Sequence, residues 1–273
     1  MEASRARTRL RGLRSLALLS LGLGLVPTIC DAAGSHRTKN FAVEAPSADI
    51  ARQVAERAER YRAQIARQWL GHELADWKTP CPIRVKITGG EAGGLTSFTF
   101  ARGKVLDQMM SVEGRLDRIL ASSLPHEITH TITAGALGRE VPRWADEGVS
   151  VLSEDRRERD RHDQIASHLL ARNKEMPLER LFRVEQYPRD LMGFYGQGYS
   201  VSRFLVEFGG RPRLLAYLRD GETLGWDAAT RLHYGIADVA ELDRAWRSWH
   251  QVLASRDNAE GRTLVLTGSS SSE

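Results

Sequence analysis

The stretch His126-Glu127-Ile128-Thr129-His130 narrows more than any other what this chain can fold into. On an α-helix, residues four apart share a face, so His126 and His130 can aim two neutral ring nitrogens at one point and bind a metal there. Glu127 stands one step around the helix, where its carboxylate can reach a water on that metal without being a ligand. A zinc site that keeps its fourth position open for water or substrate needs a third protein ligand, so a donor from elsewhere in the chain has to face this helix. Pro125 suits a first helical turn and starts or kinks the helix, which is predicted to run to about Ala136, with Gly135 and Gly138 near its end. Thr129, Thr131 and Thr133 are weak helix formers, so tertiary packing or metal binding must help to hold the segment.

The chain begins with five arginines between Arg5 and Arg14, an apolar run from Leu16 to Ile29, and the small residues Ala32, Ala33 and Gly34. That is the layout of a signal peptide, assigned to residues 1–32, and the apolar run is short for a membrane span. The expected location is therefore secreted or periplasmic. Cys30 raises the alternative of a lipid anchor, but Pro27-Thr28-Ile29 lacks the small residues that precede such a cysteine, and cleavage near Ala32 or Ala33 is preferred. Cleavage also changes the charge. The whole chain carries 39 Lys+Arg and 35 Asp+Glu, a net +4, whereas the mature chain keeps 34 against 33. The basic balance is a targeting feature and gives no support for nucleic-acid binding. Only Cys81 remains after cleavage, so no internal disulfide forms, and about 240 residues can bury a core without one.

Phe41 to Val43 reads as a short strand, and Ser47 caps an amphipathic helix in which Ile50, Val54, Ala58, Tyr61, Ile65 and Trp69 recur every three or four residues up to Gly71. His72-Glu73 resembles the start of a second metal motif, but Asp76 occupies the place of its second histidine, and the segment reads as a loop. Ile83, Val85 and Ile87 alternate with Arg84 and Lys86 as a half-buried strand. Gly89, Gly90, Gly93 and Gly94 mark a turn, and Thr96 to Phe100 with Val105 to Met110 form a hairpin. A strand just before a metal-binding helix can lie along a cleft and pair with an extended peptide, or it can be an ordinary sheet edge. The mixed charges of Glu154 to Arg161 predict a solvated helix face, with His162 and His168 on the surface. Helices are predicted over Arg213 to Leu218, Trp226 to Leu232 and Val239 to Leu253, and a disordered tail over 256–273.

Two carboxylates compete for the third ligand position. In Pro142-Arg143-Trp144-Ala145-Asp146-Glu147-Gly148 the proline opens a new helix, and Glu147 lies 17 residues beyond His130, enough chain to turn and bring a second helix back past the metal. Asp146 is the alternative. Here the sequence resembles the gluzincin metallopeptidases, in which the two histidines are followed by a glutamate ligand on a second helix. In their aminopeptidase N branch that glutamate stands in a Trp-x-x-Glu-Gly context, matched by Trp144, Glu147 and Gly148, so the resemblance favours Glu147. The same branch carries a Tyr-x-x-Gly segment whose tyrosine hydrogen-bonds a developing oxyanion. Tyr195-Gly196-Gln197-Gly198 is similar, which makes Tyr195 the candidate donor and Tyr199 the runner-up. A phenol with a pKa of about 10 is neutral, and so a donor, at neutral pH.

The resemblance implies an α+β, zincin-like metallopeptidase fold over 36–255, with a small mixed sheet lobe and the HEITH helix in 36–138, a mainly helical lobe in 139–255, and the zinc helix at the cleft between them. It implies one Zn²⁺ held by His126, His130 and Glu147, Glu127 as general base, and a peptide or protein substrate. The Gly-x-Met-Glu-Asn segment with which the aminopeptidase N branch holds a free amino terminus has no match between Gly89 and Glu113, so aminopeptidase specificity is not implied. The alternative is a catalytically silent, peptidase-like binding or scaffold module.

Overall fold

The computed structural model describes residues 34–268; the expected signal peptide and Cys30 lie outside the described residues. The chain is mixed α+β, a small mixed sheet followed by a helical region. β1 (Gly34–Arg37), β2 (Phe41–Ala45), β3 (Cys81–Ile87), β4 (Gly93–Ala101) and β5 (Lys104–Gly114) form one sheet in the order β1-β2-β3-β5-β4. β2 pairs with β3, and β3 with β5, in parallel; β1 and β4 pair antiparallel at the two edges. β1 was not foreseen, because four half-exposed residues carry no alternation that propensity alone can read.

The parallel β2–β3 step needs a crossover, and α1 (Ala48–Leu70) supplies it. Ser47 accepts from the Ile50 amide, Gly71 ends the helix in the left-handed conformation, and Val54, Ala58, Ile65 and Trp69 are buried, as their spacing predicts. β3 buries Cys81, Ile83 and Val85 and exposes Arg84 and Lys86. The other sheet face is left to solvent, with Leu95, Leu106 and Met109 exposed on the hairpin.

After β5 come α2 (Leu116–Arg118), a π-helical turn at Ile119–Ser123 and α3 (Leu124–Leu137). The wide turn stands just ahead of Pro125. A proline in a helix lacks an N–H and crowds the carbonyl four residues back, here that of Ala121, and one extra residue in the turn relieves that clash. α3 packs on α1, β4, β5 and the helices that follow, so it is buried on nearly all sides. The three weak helix formers are accommodated by their hydroxyls, which donate to Pro125, Ile128 and Thr129 carbonyls.

α4 (Arg143–Val151), α5 (Arg156–Ala171), α6 (Leu178–Leu181), α7 (Leu191–Gly209), α8 (Arg211–Leu224), α9 (Trp226–Tyr234) and α10 (Val239–Gly268) complete the chain. Trp144 of α4 stacks on Phe182 at 4.4 Å, and Trp226 and Tyr217 close the same aromatic cluster, which ties α4, α8 and α9 together. α10 carries helical backbone to Gly268, past Arg256, where lost periodicity predicts a disordered tail. Among the described residues no helix is long and apolar enough to cross a membrane.

Candidate metal centre

α3 lies along a cleft of about 570 Å³ whose walls come from β4 on one side and from α4, α5 and α7 on the other. Ligand atoms of His126, Glu127 and His130 fall within 4.8 Å of one another, close enough to hold a metal ion. The two imidazoles meet edge to face at 4.9 Å.

Each ring is fixed through its Nδ1. That of His126 is 2.7 Å from Glu154 Oε1, and the other oxygen of Glu154 accepts from Ser122 Oγ at 2.5 Å. That of His130 is 2.6 Å from Asp146 Oδ1, with Ser150 Oγ 3.2 Å away. A carboxylate on Nδ1 sets the ring orientation and leaves Nε2 as the nitrogen available to a metal. Asp146 is thereby engaged with His130.

Two carboxylates stand near the histidines, and their partners separate them. Glu127 Oε2 accepts from Thr96 Oγ1 of β4 at 2.5 Å, so this side chain is tied to the sheet wall. Gly94 presses against it from the same strand: a Cβ there would lie 2.5 Å from Glu127 Oε1. Glu147 Oε2 is 3.5 Å from His126 Nε2, while its Oε1 accepts from the Tyr187 hydroxyl at 3.2 Å. Four-coordinate zinc with bonds of about 2.1 Å keeps its donors roughly 3.4 Å apart. The His126–Glu147 spacing fits that value.

Glu147 is placed by a close helix crossing. A Cβ on Gly148 would lie 2.3 Å from the Gly198 carbonyl oxygen, and one on Gly198 would lie 2.2 Å from that of Trp144. Only glycine at both positions lets α4 and α7 approach so closely. The contact sets Glu147 on one helix and Tyr195 on the other toward the same cleft. Gln197 fixes the flank of α7 by bonding both the amide and the carbonyl of Met176.

The electrostatics follow from burial and pairing. Burial disfavours charge on His126, yet its bonds to Glu147 and Glu154 outweigh this and hold its pKa well above the ordinary histidine value. The His130 pKa is raised in the same way, burial being overcome by Asp146. Glu147 shows the converse: burial pushes its pKa up, but His126 draws it down to about 2. A metal entering here takes over as the carboxylates' cationic partner and displaces those protons. Burial, reinforced by the Glu147 charge, raises the Tyr187 hydroxyl to about 12 and the Tyr195 hydroxyl higher, so both stay neutral donors.

The remaining expectations divide. Tyr195 lines the cleft, with its ring 5.9 Å from that of Tyr187. Tyr199 does not; its hydroxyl donates to Asp163 in a separate hollow beside Arg203. His162 is a correction. It is buried, not on the surface, because α5 turns it toward the cleft and its Nδ1 bonds the Glu158 carbonyl in its own helix. His168 is exposed as expected. No family model matches this chain, and no curated protein matches its sequence. Glu154, Ser122, Thr96 and Tyr187 were missed in the sequence. The one local hint was the seven-residue step from Glu147 to Glu154, two helical turns, which the end of α4 at Val151 obscures.

Proposed function

We propose that this protein is an exported zinc metallopeptidase of gluzincin type, with His126, His130 and Glu147 as ligands and a zincin-like arrangement of sheet, zinc helix and helical region. The observation that carries the proposal is the approach of Glu147 Oε2 to within 3.5 Å of His126 Nε2 while both histidines have Nδ1 held by carboxylates. These are hard oxygen and borderline nitrogen donors in a partly enclosed cleft, a set that suits Zn²⁺.

Bound zinc would supply a Lewis acid that acidifies a water and polarises a peptide carbonyl. Glu127, oriented by Thr96 and crowded by Gly94, takes the proton of the attacking water and returns it to the amine nitrogen as the C–N bond breaks. Tyr195 donates a hydrogen bond to the carbonyl oxygen as negative charge builds on it. Tyr187 holds the second oxygen of Glu147 and so orients the third ligand. β4 is the last strand of the sheet, and its free edge faces away from β5, which leaves backbone groups for an extended peptide beside Glu127.

Metal analysis tests the ligand set. The purified protein is expected to hold one zinc per chain and Glu147→Ala to lose most of it. Full zinc occupancy in Glu147→Ala would assign the third position elsewhere. Glu127→Gln should keep the zinc and lose turnover of a mixed peptide library by at least about 1,000-fold, the usual scale for a general base or more. A chelator-sensitive zinc with no cleavage of any library peptide would point to the silent binding module.

A further inference from the structure

The segment that carries Tyr187 joins α6 to α7 without regular structure of its own. Glu185, Gln186 and Tyr187 are exposed along it, yet the Tyr187 hydroxyl reaches Glu147 in the cleft. Holding such a segment in one conformation costs chain entropy, which specific contacts have to offset. Part of the restriction is local: Pro188 keeps the residue before it, Tyr187, out of the helical region, but has no N–H with which to anchor the segment. Among the described residues, the hydrogen bonds of 3.5 Å or less made by residues 185–189 both end on α4.

Those two bonds are made four residues apart on one helix face. Arg143 Nε donates to the Glu185 carbonyl at 2.7 Å, and the Tyr187 hydroxyl donates to Glu147 Oε1 at 3.2 Å. The Arg143 guanidinium also lies 4.8 Å over the Tyr187 ring, a cation–π contact, while Phe194 and Tyr195 of α7 meet that ring edge-on at 5.9 Å. Among the described residues Arg143 makes no salt bridge, so this segment is what its side chain holds. The chain thus closes a circuit from one turn of α4 to the next, through Arg143, Glu185, Tyr187 and Glu147. Without the first contact the ring loses its backing, and the second oxygen of Glu147 loses the donor that stops the carboxylate from rotating.

We propose that Arg143 is a positioning residue for the metal centre: it latches the 185–187 segment onto α4 and, through Tyr187, sets how tightly the site holds zinc. The inference rests on the zinc reading of the site, with Glu147 as third ligand, and adds to it a residue that neither ligates the metal nor reaches the reacting atoms.

The test is the zinc affinity of the full chain, stripped of metal and titrated against a chromogenic chelator. It compares the wild type with Arg143→Ala, Tyr187→Phe, the double variant and Glu147→Ala, and the Tm of each metal-free form is recorded. Arg143→Ala and Tyr187→Phe are each expected to weaken zinc binding about tenfold or more, the range for groups that support a ligand. Because Arg143 acts through Tyr187, the double variant should bind no more weakly than the weaker single variant, whereas independent roles would multiply the two losses. Trypsin gives a readout that needs no metal. Arg183 and Arg189 are exposed and flank the segment, and cleavage there should be several-fold faster in metal-free Arg143→Ala than in the wild type. Unchanged zinc affinity in Arg143→Ala, losses that multiply in the double variant, or a loss that follows a fall in Tm without faster cleavage overturns the latch. If Glu147→Ala loses zinc and Arg143→Ala does not, the metal reading stands and the latch fails. If Arg143→Ala opens the segment to trypsin while the wild type and Glu147→Ala bind zinc alike, the metal reading is what fails, and the effect on zinc falls with it.

Discussion

The two walls of the cleft are built by different physics. The helical wall is made by α4 and α7 locked at Gly148 and Gly198, where backbone meets backbone with no side chain between. The sheet wall is made by β4, an edge strand bonded on one side only, and it meets α3 where Glu127 packs on Gly94 and accepts from Thr96. The helical wall holds the position of Glu147. The sheet wall holds Glu127, the proposed general base, and offers a free edge. A donor to a metal tolerates almost no displacement, whereas a wall that receives a peptide needs open backbone groups, and the proposed function would give each task to the element suited to it.

The comparison can be broken most severely on the helical wall. Gly148→Val forces three heavy atoms into the contact with Gly198 and Ser202, and overpacking of this kind costs about 3 kcal/mol or more. Thermal unfolding should show a large drop in Tm, and the folded fraction should lose its metal because Glu147 moves with α4. The matching change on the sheet wall, Gly94→Ala, should act differently. The atoms its Cβ meets are the flexible end of Glu127, so stability should stay near wild type while turnover falls on the order of 100-fold through misplacement of the base. Equal losses of stability in the two variants would erase the distinction. The smallest effect belongs beneath both walls. Burial raises the Cys81 thiol to about 12, so at pH 8 it remains protonated and enclosed in the sheet core. Alkylation by iodoacetamide at pH 8 should be negligible in the native protein and should appear only as the chain unfolds; prompt labelling would show the sheet side to be looser than its packing implies.

Much of α3, the helix that carries His126 and His130, was readable in the sequence because it is local. Histidine spacing, a proline in the first turn and Gly138 at the end describe α3 within a residue or two, and Ser47 and Gly71 do the same for α1. Pro142 marked the start of α4, and with it the approach of Glu147. What escaped depends on partners distant in the chain. Gly93 and Gly94 look like a turn, yet β4 begins there, because the Glu127 carboxylate leaves no room for a Cβ and the pairing with β5 supplies the strand. His162 sits in a charged stretch that reads as solvated, and it is buried only because Gly196 lets α7 come up against Ile165 beside it. Tyr187 and Glu154 lie outside regular helices, where no periodicity reports which way a side chain turns.

The π-turn at Ile119–Ser123 also constrains how this chain can vary in length. The turn holds one residue more than an α-helix would use, and Pro125 is what makes the extra residue necessary. Deleting that residue alone would drive the proline ring against a carbonyl. It would also swing Arg118 by about 100°, one helical residue step, away from Asp155 and Glu158, its partners at the start of α5. Replacing Pro125 alone would leave a wide turn with no clash to relieve. The insertion and the proline are thus mutually dependent, and in descent each is nearly neutral only in the presence of the other.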